Sequence, residues 1–282
     1  YSNLGNILRD LDQLQDAEIS MRKAIELNPD FAEAHSNLGN ILSDLGKLQE
    51  AELSIRKAIY IKPDYAEAHL NLGNILYDLG NMQAAEFHTR KAIEIDPRLE
   101  DAKFNLSLIL LKTKNFKEGF IRYESRWERR GVIKPFITSK PEWSPKNRGR
   151  VLLWAEQGIG DEILFASMIP ELEELVDKLI VSIDNRLIPL FKRSFNKEII
   201  YIAKNHIIDD EKYDFQIAMG SLMKYLRTDK ESFKKGKHIY LKANQNKTNI
   251  YKNRILEDSK YKKIIGISWL SKSRTYKYKS MS

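Results

Sequence analysis

The sequence predicts two architectures in one chain: an α-helical solenoid in residues 1–130, then a parallel-sheet α/β lobe from residue 150 onward. Three observations carry this reading. First, Asn-Leu-Gly-Asn recurs at Asn3–Asn6, Asn37–Asn40 and Asn71–Asn74, Lys-Ala-Ile recurs at Lys23–Ile25, Lys57–Ile59 and Lys91–Ile93, and Pro29, Pro63 and Pro97 keep the same 34-residue step. Registers in phase at one period are the signature of stacked helical repeats. Second, strand-like and helix-like stretches alternate after residue 150, which predicts a parallel sheet covered on both faces. Third, Trp154-Ala155-Glu156-Gln157-Gly158-Ile159-Gly160-Asp161 follows the apolar run Val151-Leu152-Leu153 and opens a helical pattern. A glycine-rich turn from a strand into a helix N-terminus points free backbone N–H groups at a crevice, a place favoured by anions and polar ligands.

Bulk features bound the function. The chain has no cysteine, which removes disulfides, thiolate metal sites and Cys nucleophiles together and fits a reducing, cytoplasmic setting. No run approaches the roughly 20 apolar residues of a membrane span. Net charge is +8, but residues 1–97 hold 9 Lys+Arg against 16 Asp+Glu, so the basic excess lies in the second half. That half admits an anionic partner or a plain compositional bias toward Lys, Asn, Ile and Tyr. No nucleic-acid-binding module is recognisable in it, so no nucleic-acid partner is expected.

Each repeat reads as two helices. Asp30 and Asp64, with Glu33 and Glu67 three residues on, fit N-caps with capping boxes. Gly46 and Gly80 end the first helix of their units. Ala51 and Ala85 are small where two helices approach, and Pro63 and Pro97 stop the second helix. His35 and His69 read as helix-surface or groove residues rather than metal ligands. A fourth unit keeps Ala102, Asn105 and Leu106 but carries Ser107 and Gly119 where glycine and alanine stood. Phe120, Tyr123 and Trp127, three and four apart, line one helical face. This face either closes the end of the array against the next domain or serves as a ligand platform.

Asn3, Asn37, Asn71 and Asn105 form a ladder, one amide per repeat. Amides donate and accept, so such a ladder holds a peptide backbone without reading its sequence; the alternative is hydrogen bonding within the array.

Residues 131–149, with Gly131, Pro135, Pro141, Pro145 and Gly149, read as a linker in which Trp143 packs onto a neighbour. Then come strand 150–155, helix 161–176, strand 179–183, helix 185–194, strands 198–202 and 214–218, a short helix from Ser221, helix 246–257 and a final strand over Ile264–Trp269. The dinucleotide fingerprint lacks its third glycine, whose place Ile163 takes, and no phosphate-loop lysine is present. Asp161 stands where a helix N-cap belongs, and Glu156 is the second carboxylate near this turn.

The repeat units, with their 34-residue period, Leu-Gly pair, alanines and closing proline, resemble tetratricopeptide repeats. The amide ladder resembles the peptide-holding groove of O-linked N-acetylglucosamine transferases. The run Phe116–Trp127, the Pro/Trp linker and the Trp154–Phe165 turn, with Asp214–Leu222 and Ile264–Trp269 beyond, resemble bacterial tetratricopeptide proteins fused to a glycosyltransferase domain. That domain is similar to the heptosyltransferase family, which has the two-lobed GT-B fold. The resemblance implies a repeat array (1–130), a linker (131–149), a Rossmann-like acceptor lobe (150–260) and the start of a donor lobe (261–282).

It also implies transfer of a sugar from a nucleotide-sugar donor to a protein or glycan acceptor, without a metal or other cofactor. Asp161 becomes the candidate base, and Glu156, Gln157, Gly158 and Gly160 line the substrate site. Lys272 and Ser280, in the basic tail with Arg274 and Lys279, lie toward donor phosphate. A polypeptide lies in the groove of Asn3, Asn37, Asn71 and Asn105. With about 20 residues of the second lobe present, the segment alone is expected to transfer no sugar. The rival reading is a non-catalytic scaffold whose repeats bind a partner protein while the α/β part caps the array.

Overall fold

The computed structural model describes residues 1–129, 135–235 and 240–257. It divides into two compact units, Tyr1–Tyr240 and Leu241–Ser282. In the first unit eight helices lead: α1 (Ser2–Asp10), α2 (Leu14–Leu27), α3 (Ala32–Asp44), α4 (Leu48–Ile61), α5 (Ala66–Asp78), α6 (Met82–Ile95), α7 (Glu100–Lys112) and α8 (Phe116–Tyr123). They pair as the period requires, α1 with α2 through α7 with α8, and each pair packs on the next. The odd-numbered helices of successive pairs also touch one another directly. They therefore form an inner layer, and the even-numbered helices an outer one.

Small residues set the spacing within each pair. Ala17, Ala51 and Ala85 are fully buried. A Cβ added to Gly39 would lie 2.3 Å from Ile55 Cγ1, and one added to Gly73 would lie 2.4 Å from Thr89 Oγ1. The fourth pair moves the glycine to the other helix: Ser107 is fully buried in α7, and a Cβ at Gly119 in α8 would lie 2.8 Å from Leu111 Cδ2.

The capping expectation needs correction. The N-caps of α3 and α5 are Phe31 and Tyr65, and neither helix has a side-chain cap bond. The Phe31 N–H donates to the Asn28 carbonyl at 3.2 Å. That turn takes up Asp30, which falls one residue short of the cap, and leaves Glu33 second rather than third in its helix. Gly46 and Gly80 do follow α3 and α5, with φ of +76° and +82°.

After α8 the chain tightens into a 3₁₀ turn, Glu124–Trp127, so the aromatic residues do not continue along one helical face. Tyr123 packs on Phe104, while Trp127 packs on Trp154, the last residue of the first strand. The end of the array thus closes against the sheet.

Four parallel strands follow in spatial order β3-β2-β1-β4: β1 (Arg150–Trp154), β2 (Lys178–Ile183), β3 (Ile200–Ala203) and β4 (Phe215–Ala218). In register, Leu152 sits beside Ile180 on one side and Gln216 on the other. The segment before β1 extends the β4 edge through Trp143 N–H to the Gln216 carbonyl, 2.8 Å, and Trp143 is fully buried.

The helix expected over 161–176 is broken into α9 (Ile159–Phe165), a 3₁₀ turn and α10 (Ile169–Leu175). Pro170, at the start of α10, lacks the N–H and clashes with a continuous helix. α11 (Ile188–Ser194) starts just before Pro189 for the same reason. α12 (Met223–Leu226) follows a 3₁₀ turn at Met219–Leu222. One sheet face, with Leu152, Trp154 and Ile180, packs against Trp127, Phe136, Ile208 and Tyr213 from irregular segments, where a helix was expected.

The second unit contributes one described helix, α13 (Gln245–Glu257). The strand expected at Ile264–Trp269, and Lys272 and Ser280, lie outside the described residues. Among the described residues no helix is long and apolar enough to cross a membrane.

Candidate functional site

Two surfaces merit description: the inner face of the array and the turn after β1.

On the inner face, Asn37, Asn71 and Asn105 are partly exposed and Asn3 is exposed. The ladder divides. Asn71 Nδ2 donates to Ser36 Oγ at 3.2 Å, and Asn105 Nδ2 donates to Asn74 Oδ1 at 2.8 Å. Among the described residues the Asn3 and Asn37 amides make no hydrogen bond. Both expected roles therefore coexist along one column. Asn6, Asn40 and Asn74 add a second column, three residues on and hence beside the first. The repeated Asn-Leu-Gly-Asn contained that signal in its last residue. Each amide pair is followed by a carboxylate at Asp10, Asp44 and Asp78, and Asp44 pairs with Arg9 at 2.6 Å. His35 and His69 each turn Nε2 to a proline carbonyl, Pro29 at 2.8 Å and Pro63 at 3.1 Å, so they tie a helix to the preceding turn.

The turn after β1 is held by the end of the array. Glu156 is the second residue beyond β1, and its side chain is 1% exposed. Its Oε1 accepts from Arg126 Nη2 at 3.2 Å and from the Gly220 N–H at 3.0 Å. Burial pushes the Glu156 carboxyl above its ordinary pKa, against the pull of Arg126. Arg126 also donates to Ser221 Oγ at 2.7 Å and to Glu124. Lys224 joins at 2.7 Å from Glu124 and 2.5 Å from Glu142. Burial pushes the Glu124 carboxyl up, but Arg126 and Lys224 outweigh it and hold it below the ordinary value.

Gln157 Nε2 donates to Tyr123 Oη at 2.7 Å, and its carbonyl accepts from Lys204 Nζ at 2.7 Å. Composition alone marked none of Arg126, Glu124, Ser221, Lys224 or Lys204, since pairs 30 to 100 residues apart in sequence leave no local pattern.

Gly158 is the N-cap of α9, and no side chain caps this helix. Asp161 is therefore third in the helix rather than its cap, partly exposed, with Oδ2 3.9 Å from where a Cβ on Gly158 would stand. A Cβ on Gly160 would meet nothing within 4 Å. Beside this turn, at the carboxyl ends of β1 and β3, a cavity of about 550 Å³ is lined by Phe136, Trp154, Glu156, Lys204, His206 and Ile208 among others. Asp161 is not in its wall.

Similarity to known proteins covers part of the chain. Protein FlbA of Caulobacter vibrioides is 31% identical in an alignment 142 positions long that covers 42% of this chain. The chain spans 23% of that protein's length. Among solved structures, MamA is 23% identical with a TM-score of 0.42, over 46% of this chain and 76% of its own. YrrB, described as a TPR protein with an unusual peptide-binding site, is 23% identical with a TM-score of 0.41, over 46% and 67%. Tetratricopeptide-repeat family models match residues 1–31, 21–52, 39–80 and 66–99. Together with the 34-residue step and the paired helices, these matches make residues 1–99 an array of tetratricopeptide repeats.

Proposed function

We propose that this chain is a protein-binding scaffold whose repeats hold an extended polypeptide along the inner face of α1, α3, α5 and α7. The observation that supports it is the double column of amides, Asn3/Asn37/Asn71/Asn105 beside Asn6/Asn40/Asn74, with members not tied up inside the array. Each amide offers two donors and an acceptor, matching the alternation of C=O and N–H along a peptide backbone. The buried ion-pair junction gives the array a closed end on the sheet, as a scaffold needs. The test is titration calorimetry with a set of unstructured peptides. Asn37→Ala combined with Asn40→Ala is expected to weaken binding by roughly tenfold, from two lost hydrogen bonds of about 0.5–1.5 kcal/mol each. Scrambling a bound peptide is expected to change little. Peptide binding that is absent, or unmoved by the double change, defeats this reading.

A second reading rests on a separate observation. Gly158 and Gly160 have neither positive φ nor a crowded Cβ position, so the fold itself does not demand glycine there. Glycine also serves where a ligand comes close to backbone. This favours a polar ligand at the α9 N-terminus, and with it the first lobe of a sugar transferase in which Asp161 takes the acceptor proton. In a protein carrying this lobe together with a donor lobe, Asp161→Asn is expected to abolish nucleotide-sugar-dependent transfer while folding is retained; unchanged transfer removes Asp161 from the chemistry.

A further inference from the structure

Two successive repeats pack one histidine in two ways. His35 and His69 hold the same register in α3 and α5, and each turns Nε2 to a proline carbonyl. The ring donates in that bond, so Nδ1 of the neutral ring keeps its lone pair as an acceptor. His69 Nδ1 is met by His88 Nδ1 of α6 at 3.0 Å, the two rings stack at 5.2 Å, and His69 is 6% exposed. One repeat earlier the His88 position is Ser54. Its Oγ donates to the His35 carbonyl at 2.9 Å and leaves the ring alone. His35 stays partly exposed, and among the described residues its Nδ1 has no partner.

The shorter side chain leaves a cavity of about 570 Å³ in the outer layer between α2 and α4, with α3 beneath. Ile25, His35, Leu38, Leu42, Leu53 and Ser54 are in its wall. Aliphatic walls with a single convergent polar atom suit a small group that fills space and makes one directed bond. Charge does not set the preference, because Arg22 and Glu50 on the rim pair with each other at 3.3 Å. The next repeat shows what does: a flat ring that stacks on an imidazole and brings an N–H to its Nδ1. The volume exceeds one ring, so the residues flanking that ring in a polypeptide also have room.

We propose that the cavity between α2 and α4 receives a histidine side chain of a partner polypeptide, whose ring N–H donates to His35 Nδ1 as His88 donates to His69. The site lies on the outer layer and does not depend on the amide face.

The test is methyl NMR of the chain at about pH 8, where imidazoles are neutral, with the capped pentapeptide Gly-Gly-His-Gly-Gly as probe. Saturable shifts are expected at the methyls of Leu38 and Leu42 and not at those of Leu72 and Leu76, their counterparts one repeat on. Methylating a ring nitrogen of the probe removes its N–H and is expected to weaken binding roughly fivefold, as the loss of one hydrogen bond. Ser54→His supplies the ring from within the chain and is expected to abolish the shifts. His88→Ser is expected to create a second site, with saturable shifts at Leu72 and Leu76 as well. The absence of saturable shifts at Leu38 and Leu42 up to tens of millimolar probe overturns the proposal. So does binding that survives Ser54→His, or Leu72 and Leu76 unmoved in the His88→Ser variant. A methylated-ring probe, or Gly-Gly-Tyr-Gly-Gly, that binds as tightly as the histidine peptide overturns the choice of ligand.

Discussion

Arg126 Nη2 lies 3.2 Å from Glu156 Oε1, with each side chain 1% exposed. The arginine belongs to the last turn of the array and the glutamate to the turn after β1, so one ion pair fixes the two parts together. Its guanidinium sits 4.7 Å from the Tyr123 ring centroid and 4.2 Å from that of Trp127. Glu156 Oε2 and Arg126 Nε are buried without partners among the described residues, so the pair is not fully compensated. Removing one charge strands the other in a low-dielectric site. Arg126→Met is expected to destabilise the chain by about 3–5 kcal/mol. Arg126→Met combined with Glu156→Gln is expected to recover most of that, since a neutral amide still accepts from Gly220. Urea midpoints of the two variants make the comparison.

Asp12, Gly46, Gly80 and Lys114 occupy one register of the repeat and share φ of 61°, 76°, 82° and 67°. In that left-handed region a Cβ is penalised by roughly 1–2 kcal/mol. The strain is therefore already present at Asp12 and Lys114. Lys114→Gly is expected to raise stability by about 0.5–1 kcal/mol after the entropic cost of glycine. Gly80→Ala is expected to lower it by about 1 kcal/mol, although space around Gly80 is open. Thermal midpoints of opposite shift are the readout.

Gly39 answers to a different cause. Its added Cβ would stand 2.3 Å from Ile55 Cγ1 and 3.2 Å from the Ala51 carbonyl oxygen, so helix packing, not backbone angle, demands glycine. Gly39→Ala is expected to destabilise by about 1–3 kcal/mol. In the Ile55→Ala background the same change is expected to do much less harm, a coupling that a double-mutant cycle measures.

The repeat part of the fold was legible because its information is periodic. Gly46, Ala51 and Pro63 each recur in phase, so one unit explains the others. The strands were legible as short apolar runs such as Val151–Trp154. Where local chemistry had a competitor, legibility failed: Asp30 looked like a cap until the Asn28–Phe31 turn absorbed it, and the 161–176 pattern continued smoothly through Pro170. The site was half legible. The Gly158–Gly160 turn announces itself, but Arg126, Ser221 and Lys224 meet Glu124 and Glu156 only through tertiary folding, and an arginine in a basic run carries no mark of burial.

His69 and His88 face each other with Nδ1 atoms 3.0 Å apart and rings stacked at 5.2 Å. His69 Nε2 donates to the Pro63 carbonyl, so its Nδ1 accepts and His88 Nδ1 is the donor; His69 takes part only as the neutral ring. Burial, then the His69 neighbour and Arg56 of α4, lower the His88 pKa to about 4 against the smaller opposing pull of Glu52. Burial also lowers that of His69, and Lys91 adds to the effect. Both folded values lie below the unfolded value of about 6.5, so the unfolded chain binds more protons in the acidic range. The contribution to stability is then fully present above about pH 6.5 and is lost as pH falls toward about 4. The thermal midpoint is expected to drop between pH 7 and pH 5. The preceding repeats carry Ser20 and Ser54 at the His88 position, so His88→Ser is expected to flatten that drop without disturbing the helix pair. An equally steep drop in the His88→Ser variant removes the pair as its cause.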